Sequence, residues 1–215
     1  MILRLSSGRA FAVVFALLVA SPVFAQTLSG VSYRPFLLVT DERFAAQTTF
    51  KAVFGTATEP TWGGGVDVTL GRHVFVDLAI SRMSEPGQRA FISSGQVFQL
   101  GIPLRATLTP VEWTAGYRFR HGTWRIIPYG GAGIGWYKYS ETADFAGDGD
   151  DVAVWHAGFV LVGGAEFRLT KWIGITGDAQ YTHVPGILGQ GGLSKDAGDS
   201  DLGGVAARVR VIYGR

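Results

Sequence analysis

The four histidines are the side chains most suited to acid–base chemistry in this sequence. A serine nucleophile would need one of them as its base and an acid to orient it. The candidates are His73, His121, His156, His183, Ser140 and Glu141. Nothing in their spacing forces them together, and the sequence contains no Gly-x-Ser-x-Gly motif. We therefore expect no enzyme, and interpret these residues as polar groups at the ends of secondary-structure elements.

Carboxylates also cluster in one acidic segment that could in principle hold a divalent cation. Residues Asp144–Asp151 read DFAGDGDD, which combines acids with glycines as calcium loops do. The segment lacks the register of an EF-hand loop, whose ligands follow D-x-[DN]-x-[DN]-G-x5-E. A solvated loop is the favoured interpretation, and we expect no metal and no cofactor.

The N-terminus has the three parts of a secretory signal. Arg4 and Arg9 precede an apolar run over Ala10–Ala20, and Val23–Ala25 offers a small residue for cleavage. A transmembrane anchor is the alternative, but the run is short for a membrane span. We predict a cleaved signal peptide over residues 1–25 and an exported domain over residues 26–215.

Removing that signal changes the charge balance. The full chain has 19 basic and 17 acidic residues, a formal net charge of +2. Residues 1–25 hold two arginines and no acid, so 17 basic and 17 acidic residues remain. Nucleic acid is then not an expected partner. With no cysteine, a disulfide scaffold and a cysteine-based zinc site are excluded.

Alternation of apolar and polar residues with period two dominates the remaining chain, and this pattern predicts strands rather than helices. It is clearest over Arg72–Met83, where Val74, Val76, Leu78 and Ile80 share one face. The predicted strands span residues 30–40, 61–70, 73–83, 104–119, 124–140, 153–169, 172–183 and 202–213. The first is the weakest, because Pro35 and the apolar residues that follow obscure its alternation.

The connections between these strands alternate in length. Tight turns are predicted at Gly71-Arg72, Arg120–Thr123 and Thr170-Lys171. Long loops are predicted at Asp41–Pro60, Ser84–Pro103, Glu141–Val152 and Val184–Asp201, the last of them mobile because of its many glycines. Within the second loop, Arg89–Leu100 is predicted to form a hairpin that extends strands three and four. Short turns at one end and long loops at the other are typical of an all-β, eight-stranded antiparallel up-and-down transmembrane β-barrel.

Alternation alone does not say whether the apolar face points outward to lipid or inward, as in a soluble ligand-binding barrel. The apolar face carries the bulky side chains, which a narrow lumen would not hold easily. Trp124 and Trp136 are 12 residues apart, as are Trp155 and Phe167. That interval covers about 28 Å of a membrane when strands tilt near 45°. We therefore predict an outward apolar face, with the membrane-interface aromatics Trp113, Trp124, Trp136, Trp155, Phe167, Trp172 and Tyr213.

The opposite face carries charges of both signs, which would then line the lumen. They are Asp67, Asp77, Glu112, Glu166 and Asp178 against Arg118, Arg168, Arg208 and Arg210. Buried charges must be paired or hydrogen-bonded. We expect a structural ion network that closes a narrow lumen. A polar ion path is the alternative.

The signal peptide, the eight amphipathic strands and glycine–aromatic strands resemble the bacterial outer-membrane β-barrel domain family, the OmpA/OmpX-type small barrels. The residues that carry this resemblance are Pro128–Trp136 (PYGGAGIGW) and Gly163–Arg168 (GGAEFR). The resemblance covers residues 26–215 and implies a cell outer-membrane location, insertion by the barrel-assembly machinery, and both termini in the periplasm.

The expected function is a structural or surface-interaction role carried by the loops, in a monomer surrounded by outer-membrane lipid and lipopolysaccharide. The exposed cations Arg43, Lys51 and Lys138 would meet lipopolysaccharide phosphates. Two alternatives stay open: a narrow porin-like channel or carrier for small or apolar solutes, and a lipid A-modifying enzyme. The ligand or receptor of the loops is not specified by the sequence.

Overall fold

Eight antiparallel strands close into one barrel in the structure, a computed structural model that describes residues 30–93, 96–122, 124–143, 152–188 and 197–214. Each strand pairs with its neighbours in the chain, and β1 pairs with β8 from Phe36–Ile212 to Phe44–Gly204. The strands are β1 (Val31–Phe44), β2 (Thr58–Leu70), β3 (Val74–Ser93), β4 (Gln96–Arg118), β5 (Ile126–Ala143), β6 (Val152–Arg168), β7 (Ile173–His183) and β8 (Gly204–Tyr213). The predicted fold class is confirmed.

The two ends of the barrel differ, as the connection lengths predict. The turn end carries the short connections β2–β3, β4–β5 and β6–β7, together with the start of β1 and the end of β8. The loop end carries the other four connections. In the described residues, no helix is long and apolar enough to cross a membrane.

The predicted hairpin of β3 and β4 is confirmed. These strands pair as far as Ser93–Gln96, whereas the described ladder of β3 with β2 ends at Trp62–Arg82 and that of β4 with β5 ends at Leu104–Ala143. The hairpin therefore extends past its neighbours at the loop end.

The prediction of a loop over Asp41–Pro60 is wrong in part. β1 continues to Phe44, β2 begins at Thr58, and helix α1 (Gln47–Phe54) lies between them. Gly55 ends the helix with a φ of 81° and donates its N–H to the Lys51 carbonyl at 3.0 Å, a conformation that favours glycine. Eight residues are too few for helical periodicity to be distinguished from a loop.

The prediction of a mobile loop over Val184–Asp201 is also wrong for its first residues. Val184, Ile187 and Leu188 are buried against the inside of the barrel. The acidic segment Asp144–Asp151 and the predicted signal peptide lie outside the described residues.

Candidate functional site: the barrel lumen

The lumen is lined by one face of each strand, because side chains alternate between the two faces. In β8, Ala206, Arg208, Arg210 and Ile212 are buried, while Val205, Val209, Val211 and Tyr213 are exposed. The same separation holds in β7, where Thr176, Asp178 and Gln180 are buried. In the described strands, the apolar face therefore points outward and most of the charged side chains point inward.

The first group of inward charges lies in the half of the lumen nearest the turn end. Asp67 accepts a hydrogen bond from Arg34 Nε at 3.0 Å and a second from Arg118. Arg34 also donates to both carboxylate oxygens of Glu166, at 2.9 and 3.0 Å. Thr69 Oγ1 accepts from Arg118 at 2.9 Å and donates to Asp67 at 3.1 Å. These contacts join strands β1, β2, β4 and β6 through the interior.

A second group lies around Asp178. Arg208 Nε donates to Asp178 Oδ1 at 2.5 Å, and the Tyr129 hydroxyl donates to Asp178 Oδ2 at 2.5 Å. Arg210 donates to Asp77 at 2.7 Å and to the Tyr129 hydroxyl at 2.6 Å, which ties β3 to β5 and β8. Both arginines and both carboxylates are at least nine-tenths buried.

Glu112 marks the boundary of the charged region toward the loop end. It accepts hydrogen bonds from the Tyr137 hydroxyl at 2.8 Å and from Gln180 Nε2 at 2.9 Å. Arg208 lies 3.8 Å from its other oxygen. Eight of the nine predicted lumen charges are thus buried and in contact with each other or with a hydrogen-bond partner. The ninth, Arg168, lies at the turn-end rim with 43% of its side chain exposed and its Nε 3.4 Å from Glu166.

Several members of this network are absent from the sequence prediction. They are Arg34, Tyr129, Tyr137 and Gln180. Arg34 was missed because Pro35 obscures the alternation of β1. Arg34, Phe36 and Leu38 occupy every second position of β1, so they lie on the same inward face, and all three are buried. This spacing could have indicated the position of Arg34. The parity of β5 also places Tyr129 and Tyr137 on the inward face, but the predicted lumen network contains only charged side chains.

Glycines make room inside for these aromatic side chains. The Tyr137 ring lies over Gly135 and Gly158, which are paired across β5 and β6. A Cβ added to Gly135 would lie 2.7 to 2.8 Å from the Tyr137 ring and hydroxyl, too close for any ordinary contact. Phe75 occupies a similar space beside Gly116, and Arg118 stacks over its ring at 4.4 Å from the centroid.

The half of the lumen nearest the loop end holds a large apolar cluster, beside which the side chains of Glu42 and Glu59 are also buried. Helix α1 folds into the barrel opening, and Phe50 stacks on Phe44 with ring centroids 4.3 Å apart. The β7–β8 connection fixes the helix, since Asp199 Oδ2 accepts from the Thr49 N–H at 2.8 Å and from its hydroxyl at 2.7 Å. We call this buried cluster the apolar plug; its members include Phe44, Phe50, Met83, Leu104, Leu108, Tyr139, Val160, Val184, Ile187 and Leu202.

The closed eight-stranded topology and the alternation of the strands agree with a match to one protein family. The model of the outer membrane protein beta-barrel domain matches residues 11–208. The chain belongs to this family. The match confirms the resemblance in the sequence and places the protein in the outer membrane. No curated protein matches the chain.

Solved structures of other outer-membrane barrels share the fold at low identity. Neisserial surface protein A is 14% identical, with 85% of this chain and 97% of that chain covered and a TM-score of 0.48. The N-terminal barrel domain of Pseudomonas aeruginosa OprF is 13% identical over the same shares, with a TM-score of 0.46. Pseudomonas aeruginosa OprG is 12% identical, with 86% of this chain and 93% of that chain covered and a TM-score of 0.47.

In this outer-membrane barrel all seven predicted interface aromatics are exposed on the outer surface. Trp124, Trp172 and Tyr213 lie at the turn end, where Trp172 and Tyr213 stack with centroids 6.4 Å apart. Phe167 pairs with Ile126 close to the same end. Trp113, Trp136 and Trp155 form a diagonal row on β4, β5 and β6, farther toward the loop end. Their position relative to a lipid interface stays a prediction.

The predicted acid–base residues do not assemble into a catalytic arrangement in the described residues. His183 Nδ1 contacts Asp201, whose carboxylate also accepts the N–H groups of Val184 and Gly203 at 3.0 and 2.7 Å. Glu141 accepts from the Tyr139 hydroxyl. In the described residues at the loop end, neither His156 nor His183 forms a hydrogen bond with Ser140. Among the described residues, no group of three or more acids or histidines is arranged to hold a metal ion.

Proposed function

We propose that this protein is a non-enzymatic outer-membrane barrel with a closed lumen, and that its role is structural or is carried by surface interactions at the loop end. The observation that carries the proposal is the Arg34–Glu166 ion pair across the interior, from β1 to β6. A side-chain bridge between strands that are not neighbours occupies the space that a conducting pore would need.

The two halves of the lumen support closure in different ways. Near the turn end, charge-assisted hydrogen bonds join the buried arginines and carboxylates, so an ion entering there would have to break them. Near the loop end, the apolar plug fills the lumen mainly with side chains such as Phe44, Phe50 and Leu108, which cannot replace the water around an ion. Both barriers would act in series.

The β3–β4 hairpin supports a surface role. It extends past the neighbouring strands and carries Val97 and Leu100 with 46% and 50% of their surface exposed. Apolar side chains exposed beyond the barrel are suited to contact with another molecule.

Planar-bilayer recording tests closure. We expect no steady conductance from the refolded protein, and stable single-channel steps would overturn the proposal in favour of a narrow channel. Uptake of an apolar solute into proteoliposomes is the parallel assay for a carrier. Protein-dependent uptake above that of empty liposomes would likewise contradict a closed barrel.

Lipid A analysis tests the non-enzymatic part. Cells that express the wild type or the His156→Ala and His183→Ala variants are expected to have the same lipid A. A modification that depends on the wild-type protein and is lost in either variant would establish an enzyme.

A further inference from the structure

The three short connections at the turn end carry basic residues and no acid. Their sequences, Gly71–His73, Phe119–Arg125 and Leu169–Trp172, contain no Asp or Glu. Arg72, Arg120, Arg125 and Lys171 lie in these connections, and Arg168 ends β6 beside them. We call these five residues the basic collar. By contrast, both signs occur at the loop end, where acids such as Asp41, Glu85 and Asp199 accompany the cations.

Most of the collar is without a counter-ion. In the described residues, Arg72, Arg120, Arg125 and Lys171 form no ion pair within 4.0 Å, whereas Arg168 contacts Glu166. Arg120 has only a longer-range attraction to the same carboxylate, which Arg34, Arg118 and Arg168 share. Arg120 Nε is buried and has no hydrogen-bond partner there. Burial, and next the positive charge of Arg168, lowers the pKa of Arg120 to about 10. The turn end therefore has an excess of positive charge that an anion from outside the chain would stabilise.

Aromatic rings adjoin the collar on the outer surface. His73 stacks on Tyr117 with centroids 5.1 Å apart, and His121 lies 5.4 Å from Trp124. Trp124 and Trp172 are more than half exposed. Rings of this kind lie at the level of lipid headgroups. The exposed cations one or two residues away then lie at the depth of the headgroup phosphates.

We propose that the basic collar binds the anionic phospholipid headgroups of the leaflet at the turn end. Arginine presents paired N–H donors that match two phosphate oxygens, and a cation near an anionic bilayer surface gains roughly fivefold in binding. The interaction is electrostatic and weakens as salt rises. The proposed lipid binding does not depend on whether the lumen conducts, because the exposed collar residues lie outside the barrel interior.

Lipid preference in a mixed bilayer tests the proposal. The wild type is reconstituted in phosphatidylcholine with a minor fraction of phosphatidylglycerol, and the association of each spin-labelled lipid with the protein is measured. We expect a severalfold preference for phosphatidylglycerol that falls with added salt. In the triple variant Arg72→Gln, Arg125→Gln, Lys171→Gln, the preference should disappear or fall by at least fivefold. A single surface cation contributes a factor of about five to binding.

A matched variant at the other end gives the control. Arg82→Gln, Arg105→Gln removes two exposed cations at the loop end and should keep the wild-type preference, whereas the size-matched pair Arg72→Gln, Arg125→Gln should lose most of it. Equal association of the wild type with both lipids, or an equal loss of preference in the two double variants, would overturn the proposal. Inorganic phosphate is also compared with chloride at the same ionic strength. If phosphate alone abolishes the preference, the collar binds a soluble anion and the proposal is wrong. Heat-modifiable migration verifies that each variant is folded.

Discussion

Arg34 and Glu166 form a two-pronged ion pair between strands that are three positions apart around the barrel. Nη1 donates to Oε1 at 2.9 Å and Nη2 to Oε2 at 3.0 Å, and both side chains are almost fully buried. Arg34 donates to Asp67 as well. One guanidinium therefore satisfies two carboxylates on two different strands.

Replacement of Arg34 by alanine is expected to lower the free energy of unfolding by about 3 to 5 kcal/mol, because it leaves buried carboxylate charge uncompensated. Urea unfolding of the refolded barrel in lipid vesicles measures the change. Arg105→Ala, which truncates an exposed arginine, should change stability by no more than about 0.5 kcal/mol. A similar small effect of Arg34→Ala would show that the pair does not stabilise the barrel.

The coupling of the pair can be measured separately. In a double-mutant cycle of Arg34→Met and Glu166→Leu, the double variant should lose less stability than the two single variants added together, by at least about 1 kcal/mol. The double variant has neither a buried cation nor a buried anion left over from this pair. Additive losses would mean that the two side chains do not interact energetically.

Gly135→Ala is expected to destabilise the barrel by about 1 to 3 kcal/mol, because the new methyl group would overlap the Tyr137 ring. Gly177→Ala is the matched control, since a Cβ there has nothing within 4 Å. Thermal unfolding of both variants under the same conditions gives the comparison. Equal stability of the two variants would contradict the role of glycine in accommodating the inward ring.

Asp199→Ala should release helix α1 without unfolding the barrel. The substitution removes the two hydrogen bonds to Thr49 and is expected to cost about 0.5 to 2 kcal/mol, the usual range for a lost helix cap. Hydrogen–deuterium exchange should rise in residues 47–54 and remain unchanged in β4 and β5. Ser200→Ala is the control, because its exposed side chain forms none of these bonds. Uniform acceleration over all strands would argue against a local role for Asp199.

The outer-membrane fraction should contain a form that migrates faster in SDS before boiling than after it. A barrel closed by the β1–β8 ladder has no free edge from which detergent can separate the strands. Val209→Pro, on the exposed face of β8, removes an N–H group in the centre of that ladder and should reduce the fast form. Absence of heat-modifiable migration in the wild type would contradict a stable closed barrel.

The strands and their orientation were predictable from local pattern. The period of two in residues 72–83 and in later segments predicted the number of strands, and the outward indoles predicted the face toward lipid. Eight of the nine predicted lumen charges lie in the interior. The family match supports the same fold and the outer-membrane location.

Other features depended on contacts between residues distant in sequence. Helix α1 forms where Phe50 packs on Phe44 and where Asp199, 150 residues away in the chain, accepts from Thr49. The sequence around the helix does not indicate such a distant partner. The partner of each buried charge was likewise not predictable, because parity fixes the face of a side chain but not its distance across the lumen.

By itself the sequence determined the number of strands, the two faces of most strands and most of the charges that point inward. A side-chain period of two is a property of the extended backbone, so it needs no tertiary information. Only the tertiary structure decided which arginine meets which carboxylate and that an apolar cluster fills much of the lumen near the loop end. The register of each strand pair and the closure of the barrel set the distances between side chains across the lumen.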